Sequence, residues 1–228
     1  MSARLAAWAR AQRDFGWEGH RLSVRDEGTG PALVLLHGYP TGSYDWHAIW
    51  PWLQPHFRLI APDLLGHGFS DKPAAHDYTI TSHAASVDAL LEALGIREFH
   101  LVAHDLGVRV AQELLARREQ PGDHPQILSL VLLNGAMCPE AYHPRAIQRL
   151  LASPLGGWVA PHIPRSAFGR TVQELFGGDH PAPDGLIDDF WSLLQHGDGQ
   201  RVTHAVGRFW TPRRAMRDRL VGALLRSR

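Results

Sequence analysis

The chain has a single cysteine, Cys138, in 228 residues, which excludes an internal disulfide and fits a reducing, cytoplasmic compartment. Its sequence context reads as that of a packed small apolar residue, not of a reactive thiol. Neither sign of charge is in excess: 23 Lys and Arg face 23 Asp and Glu, so nothing draws the chain to nucleic acid or to an anionic membrane. No apolar run reaches the ~18 residues that would span a bilayer, and no signal-peptide apolar segment with a cleavage site opens the chain. Internal repeats and low-complexity stretches are lacking too. What is present is 44% apolar residues, enough for one sizeable core, with a second compact unit only as an insertion. The substrate expected from this balance is small and not strongly charged.

Residues 4–13 suggest a short helix, and Gly16 to Glu27 suggests paired strands around Gly19. From Pro31 the pattern sharpens. The runs Ala32 to Leu36, Phe57 to Ala61, Phe99 to Ala103 and Ile127 to Leu133 are continuous and apolar, as expected of strands buried on both faces. They alternate with helical stretches at roughly 45–53, 79–94 and 107–119. Strand–helix alternation with polar or glycine-rich residues at each strand's carboxyl end predicts a doubly wound, mostly parallel α/β sheet with its ligand at those ends. After Gly135, prolines at 139, 144, 154, 161, 164, 181, 183 and 212 interrupt the pattern. The expected organisation is a core over 1–139, a helical lid over 140–215 and a return to the core over 216–228. Leu150, Leu151, Trp158, Phe168, Leu175, Phe176, Phe190, Trp191, Leu193 and Leu194 supply the lid's apolar groups.

The segment Ala103-His104-Asp105-Leu106-Gly107 reads as strand, tight turn and helix start, with Asp105 on the turn. Read alone, an aspartate there serves equally as a helix cap or as a nucleophile. A carboxylate is ionised at neutral pH without a base and suits attack on an sp³ carbon bearing a leaving group. The product is an alkyl ester of the enzyme, whose hydrolysis needs a water activated by a histidine held by an acid. His104, immediately before the turn, is read as a structural hydrogen-bonding residue, and His37 as a fastener of its own loop. Gly66 and Gly68 mark a tight turn; with no Lys-Ser/Thr pair after them they make no phosphate cradle. No cofactor and no metal are expected.

Three motifs in order, His37-Gly38-Tyr39-Pro40, Asp63 to Pro73, and His104-Asp105-Leu106-Gly107, resemble the α/β-hydrolase superfamily in its branch of haloalkane dehalogenases and epoxide hydrolases. Within it, Tyr44-Asp45-Trp46, Val110 to Leu115, Asn134-Gly135 with Pro139-Glu140, and Val221 to Leu224 look most like the mesoderm-specific transcript proteins and their bacterial relatives. The resemblance implies an α/β-hydrolase fold with an inserted helical lid. It also implies Asp105 as nucleophile on a nucleophile elbow, and the backbone N–H groups of Tyr39 and Leu106 as charge stabilisers, with His37, Gly38, His104 and Gly107 in support. The substrate implied is small and apolar, of haloalkane or epoxide type.

The chain also departs from the pattern. Leu106 stands where dehalogenases usually carry a Trp whose indole N–H holds the halide, and Tyr39 stands where they often carry Asn. Epoxide hydrolases use two lid tyrosines, and this lid holds Tyr142 alone. Asn134 falls where some dehalogenases take their acid. The family's later acid and histidine belong to strands that the resemblance places after Arg228, so the chain is expected to be C-terminally shortened. The lid histidines His162, His180, His196 and His204 are poor substitutes for the base. A rival expectation is a catalytically inactive binding module with the same fold. With its last strands missing, Ile127 to Leu133 becomes an edge strand whose Leu130, Leu132 and Leu133 lose neighbours. Such a chain is expected to be marginal or aggregation-prone unless it forms a homodimer through that edge.

Overall fold

A computed structural model of the chain describes residues 1–135, 137–138, 143–176, 178–210 and 214–227. Helix α1 (Ala3–Arg10) is capped by Ser2, whose Oγ accepts from the Leu5 N–H. Strands β1 (Gln12–Trp17) and β2 (His20–Glu27) form an antiparallel hairpin through Glu18 and Gly19, both at positive φ. Then come β3 (Ala32–Leu36), a 3₁₀ turn over Ser43–Trp46, α2 (Trp50–Leu53), β4 (Arg58–Pro62), α3 (Ile80–Ala93), β5 (Glu98–His104), α4 (Leu106–Arg118) and β6 (Gln126–Leu133). The single helix expected at 45–53 is thus two short pieces, with Pro51, which lacks the N–H a continuous helix would need there, in the first turn of the second.

The six strands lie in the order β1-β2-β4-β3-β5-β6, with β4, β3, β5 and β6 parallel. On one face Val34, Leu36, Ile60, Leu101 and Ala103 pack against Val87, Leu90 and Leu91 of α3 and Val108, Ala111 and Leu114 of α4. On the other, Leu33, Leu35, Leu59 and Ala61 meet Trp8, Tyr44, Trp46 and Trp50. All five residues of β3 are buried, which is why its sequence shows no alternation.

The apolar run of β6 was expected to be buried on both faces, and it is not. Ile127, Leu130 and Leu132 pack against the helical layer and keep their neighbours, whereas Leu128, Val131 and Leu133 are 45%, 47% and 41% exposed. Among the described residues nothing pairs with its outer edge, and the strand carries no charge or proline to blunt that edge. As an isolated polypeptide, residues 1–228 are expected to self-associate along β6, and Val131→Lys is expected to shift them to monomer in sedimentation. A wild-type polypeptide that sediments as a monomer and melts sharply would refute this.

Beyond β6 lie α5 (Ala146–Ala152), α6 (Gly156–Val159), α7 (Arg165–Leu175), α8 (Leu186–Gln195), α9 (Gly199–Val206) and α10 (Arg214–Arg226). Helix α10 packs on α4 through Leu220, Ala223 and Ala116, with ion pairs Arg219–Glu113 and Arg226–Glu119. Helix α8 is bound to the core by Asp189, a buried carboxylate that accepts from the Ser2 N–H and Oγ–H and from the Tyr44 O–H. That site pushes the Tyr44 phenol up to about 12, chiefly through burial and then the Asp189 charge. Leu151, Phe168, Leu193 and Leu194 are buried in this helical layer, whereas Leu150, Leu175 and Trp158 (73%) are exposed. Cys138 is exposed as well, contrary to its expected packing. Pro139, Glu140, Tyr142 and Pro212 lie outside the described residues. No helix among those described is long and apolar enough to cross a membrane.

Candidate functional site

The junction between β5 and α4 places Asp105 at φ 48°, ψ −108°, a conformation costly for a residue with a side chain. Three backbone bonds hold the turn: Asp105 N–H to Leu133 O, Val108 N–H to Asp105 O and Gly107 N–H to His37 O, each 3.1 Å. Gly107 permits the tight start of α4, since a Cβ there would stand 2.5 Å from the Leu36 carbonyl oxygen. The Asp105 side chain makes no helix-capping bond. It turns instead toward the loop after β3, where Oδ1 accepts the Tyr39 N–H at 2.9 Å, and the Leu106 amide lies close enough to favour the charged carboxylate. Burial pushes the Asp105 carboxyl above its ordinary range, while these two amides and the neighbouring His104 pull it back.

His37 is buried, with Nε2 accepting the Leu64 N–H at 3.0 Å and Nδ1 2.8 Å from the Gly38 carbonyl oxygen. Both ring nitrogens are engaged, so the residue fastens its loop. The Tyr39 hydroxyl donates to the Thr203 carbonyl at 3.1 Å, which connects this loop to α9. His104 lies behind Gly38 and faces Asp45, 3.9 Å away. Asp63 joins its own loop to the 3₁₀ turn after β3: its carboxylate accepts the Ser43 N–H at 2.5 Å and the Phe69 N–H at 2.7 Å. Asp45 and Asp63 appear in the sequence only as members of motifs; the loops they brace, through Gly38 and His104 and through Ser43 and Phe69, are set by the tertiary structure.

Above Asp105 is a cavity of about 180 Å³ floored by Tyr39, Pro40 and Asp105. Ile147 and Leu151 of α5, Phe168 and Val172 of α7 and Leu194 of α8 form its apolar walls, with Gln148, Gln200 and Thr203 the main polar groups besides Arg145, whose side chain pairs with Glu174. None of His162, His180, His196 and His204 lines it. His162 and His204 bond to main-chain carbonyls of Trp158 and Arg201, and His196 and His180 are exposed. Asn134, at the position where an acid was sought, is exposed at the end of β6. Among the described residues no group of three His, Cys, Asp or Glu side chains is placed to hold a metal ion.

Residues 31–159 match the family model described as the alpha/beta hydrolase fold. The chain is 38% identical to the mouse mesoderm-specific transcript protein over 236 aligned residues, which cover 98% of this chain and 70% of that protein. It is 48% identical to a haloalkane dehalogenase of Mesorhizobium japonicum over 92 residues, 40% of this chain and 29% of that one. The epoxide hydrolase CorEH superposes with a TM-score of 0.75 over 92% of this chain and 76% of its own, at 21% identity, a likeness of fold. The sheet order and the matched span agree, and the chain belongs to the α/β hydrolase fold family.

Proposed function

We propose that this hydrolase attacks a small apolar substrate of haloalkane or epoxide type with the Asp105 carboxylate and forms an alkyl ester of the enzyme. The observation that carries the reading is the orientation of that carboxylate. One oxygen is gripped by the Tyr39 amide while the group as a whole floors an apolar cavity, which leaves the second oxygen to attack carbon. In that step the Oδ2–C bond forms, and the C–halogen or C–O bond breaks with its electron pair on the leaving atom. When the ester is later cleaved by water, charge develops on Oδ1, where the Tyr39 amide already points, with the Leu106 amide nearby as the second donor. Such preorganised donors contribute about 2.7–4 kcal/mol each where one has been removed. Helices α5 to α9 act in this reading as a lid that keeps water from the site. Leu106 offers no side-chain donor to a leaving halide, so halide departure depends on other groups. The haloalkane dehalogenase among the similar proteins supports the substrate class.

No histidine lines the cavity among the described residues, so the ester made by residues 1–228 is expected to accumulate. Incubation with a bromoalkane, and separately with an aryl epoxide, should add one alkyl or one hydroxyalkyl group in intact-mass spectra, with the peptide containing Asp105 carrying it. The alternative reading is a catalytically silent binding module with the same fold. A folded chain that stays unmodified by both reagents would decide for it.

A further inference from the structure

We propose that Asp45 and His104 form a positioning pair behind the site, which sets the Gly38–Tyr39 backbone against Asp105 while His104 carries its proton. The proposal rests on the reading of Asp105 as nucleophile and adds a pH-dependent control to it. Two consecutive amides grip two carboxylates: the Gly38 N–H donates to Asp45 Oδ2 at 3.1 Å, and the Tyr39 N–H donates to Asp105 Oδ1 at 2.9 Å. The two anions share one short loop and repel each other. The His104 ring fills the space beside them, with Nδ1 3.9 Å from Asp45 Oδ2. Gly38 is the wedge between the groups, for a Cβ there would stand 2.9 Å from His104 Nδ1 and 3.0 Å from Asp105 Cβ.

The groups facing His104 are few. The 3₁₀ turn contributes Asp45, the adjoining turn contributes Asp105, the loop after β3 contributes the Gly38 backbone, and β6 contributes uncharged Leu133 as register partner. Asp45 beside it holds the imidazole above its ordinary range, with Asp105 adding to this and burial opposing it. The protonated ring therefore persists to higher pH than in a free histidine, and the contact is lost as pH rises through that raised value. Asp105, itself raised, becomes nucleophilic as pH rises. The rate of ester formation should climb through the Asp105 titration and fall through that of His104.

Intact-mass rates from pH 4 to 10 on the 228-residue chain test this. Asp45→Asn is expected to move the alkaline limb down by about one pH unit, and to move the acid limb down as well, because a charge that raises Asp105 is gone. His104→Gln is expected to lose the alkaline limb. Profiles of unchanged shape and uniformly lower rate in both variants would leave a merely structural role and overturn the proposal, with the nucleophile reading intact. The His104 ring signal in NMR, assigned by its loss in His104→Gln, provides a readout independent of chemistry. Its titration should shift toward lower pH in Asp45→Asn, and an unmoved titration overturns the proposal. A shifted titration in a chain that never forms the ester would sink the nucleophile reading, and the positioning role with it.

Discussion

Asp105→Asn is expected to abolish ester formation and to raise the melting temperature. The amide is close in size to the carboxylate, and its oxygen still accepts the Tyr39 N–H that Asp105 Oδ1 accepts now. Its nitrogen is a very poor nucleophile, so the adduct rate should fall by at least about 10⁴-fold, as for removal of an attacking group elsewhere. The stability change has the opposite sense. The Asp105 carboxyl is raised by burial, so the folded state disfavours its ionised form. This penalty is absent below the ordinary carboxylate range and grows as pH rises toward the raised folded value. Above that value it is complete, and neutral pH lies where the penalty is felt. Asn removes it, for a gain of about 1 kcal/mol or 2–4 °C. Melting curves from pH 3 to 8 should therefore diverge, with the variant ahead at neutral pH and level with wild type at acid pH. An adduct that persists in the variant would remove Asp105 from its role; a variant less stable at neutral pH would show that the ionised carboxylate is net stabilising.

The largest loss of stability is expected from Asp63→Ala. Asp63 is buried at the end of β4 and accepts from the main chain of both flanking loops, through Ser43 N–H and Phe69 N–H, and from Gln12 Nε2 at 3.3 Å. Ser43 is itself buried and receives the Trp8 indole N–H at 3.1 Å, so little water can replace the lost acceptor. Two backbone donors left unpaired at roughly 1–3 kcal/mol each give a loss of about 2–6 kcal/mol, a large part of a net stability near 5–15 kcal/mol. The urea midpoint should fall by about 1–2 M on a slope ordinary for small domains. Asp63→Asn keeps one acceptor oxygen and should fall between wild type and Asp63→Ala. A midpoint unchanged in the alanine variant would mean that the loops are held by other contacts. The 3₁₀ turn that Asp63 anchors also carries Asp45, so adduct formation should weaken even in chains that remain folded.

The local elements were legible because their causes are local. The continuous run of β3 reported burial on both faces, and the helices at 80–93 and 106–118 fell close to their expected positions. The run of β6 misled, because Leu and Val occupy both faces and only one of them is covered. A periodic pattern records which side chains are apolar, and not whether a neighbouring layer exists to bury them. Leu150, Trp158 and Leu175 misled in the same way. Asp45 was visible only as part of a family motif, with nothing in its neighbourhood to connect it to His104.

By itself, the sequence determined that an aspartate stands on a strand-to-helix turn and that a His-Gly loop follows a buried strand, since turn chemistry and apolar periodicity act within a few residues. Only the tertiary structure decided how that aspartate is used. It turned Asp105 away from capping its helix and onto the amide of Tyr39, 66 residues earlier in the chain. It also walled the cavity with helices from the proline-rich segment and left the histidines of that segment outside it. These outcomes depend on which surfaces pack together once the sheet has formed, and distances between remote residues are set by that packing rather than by the composition of either segment.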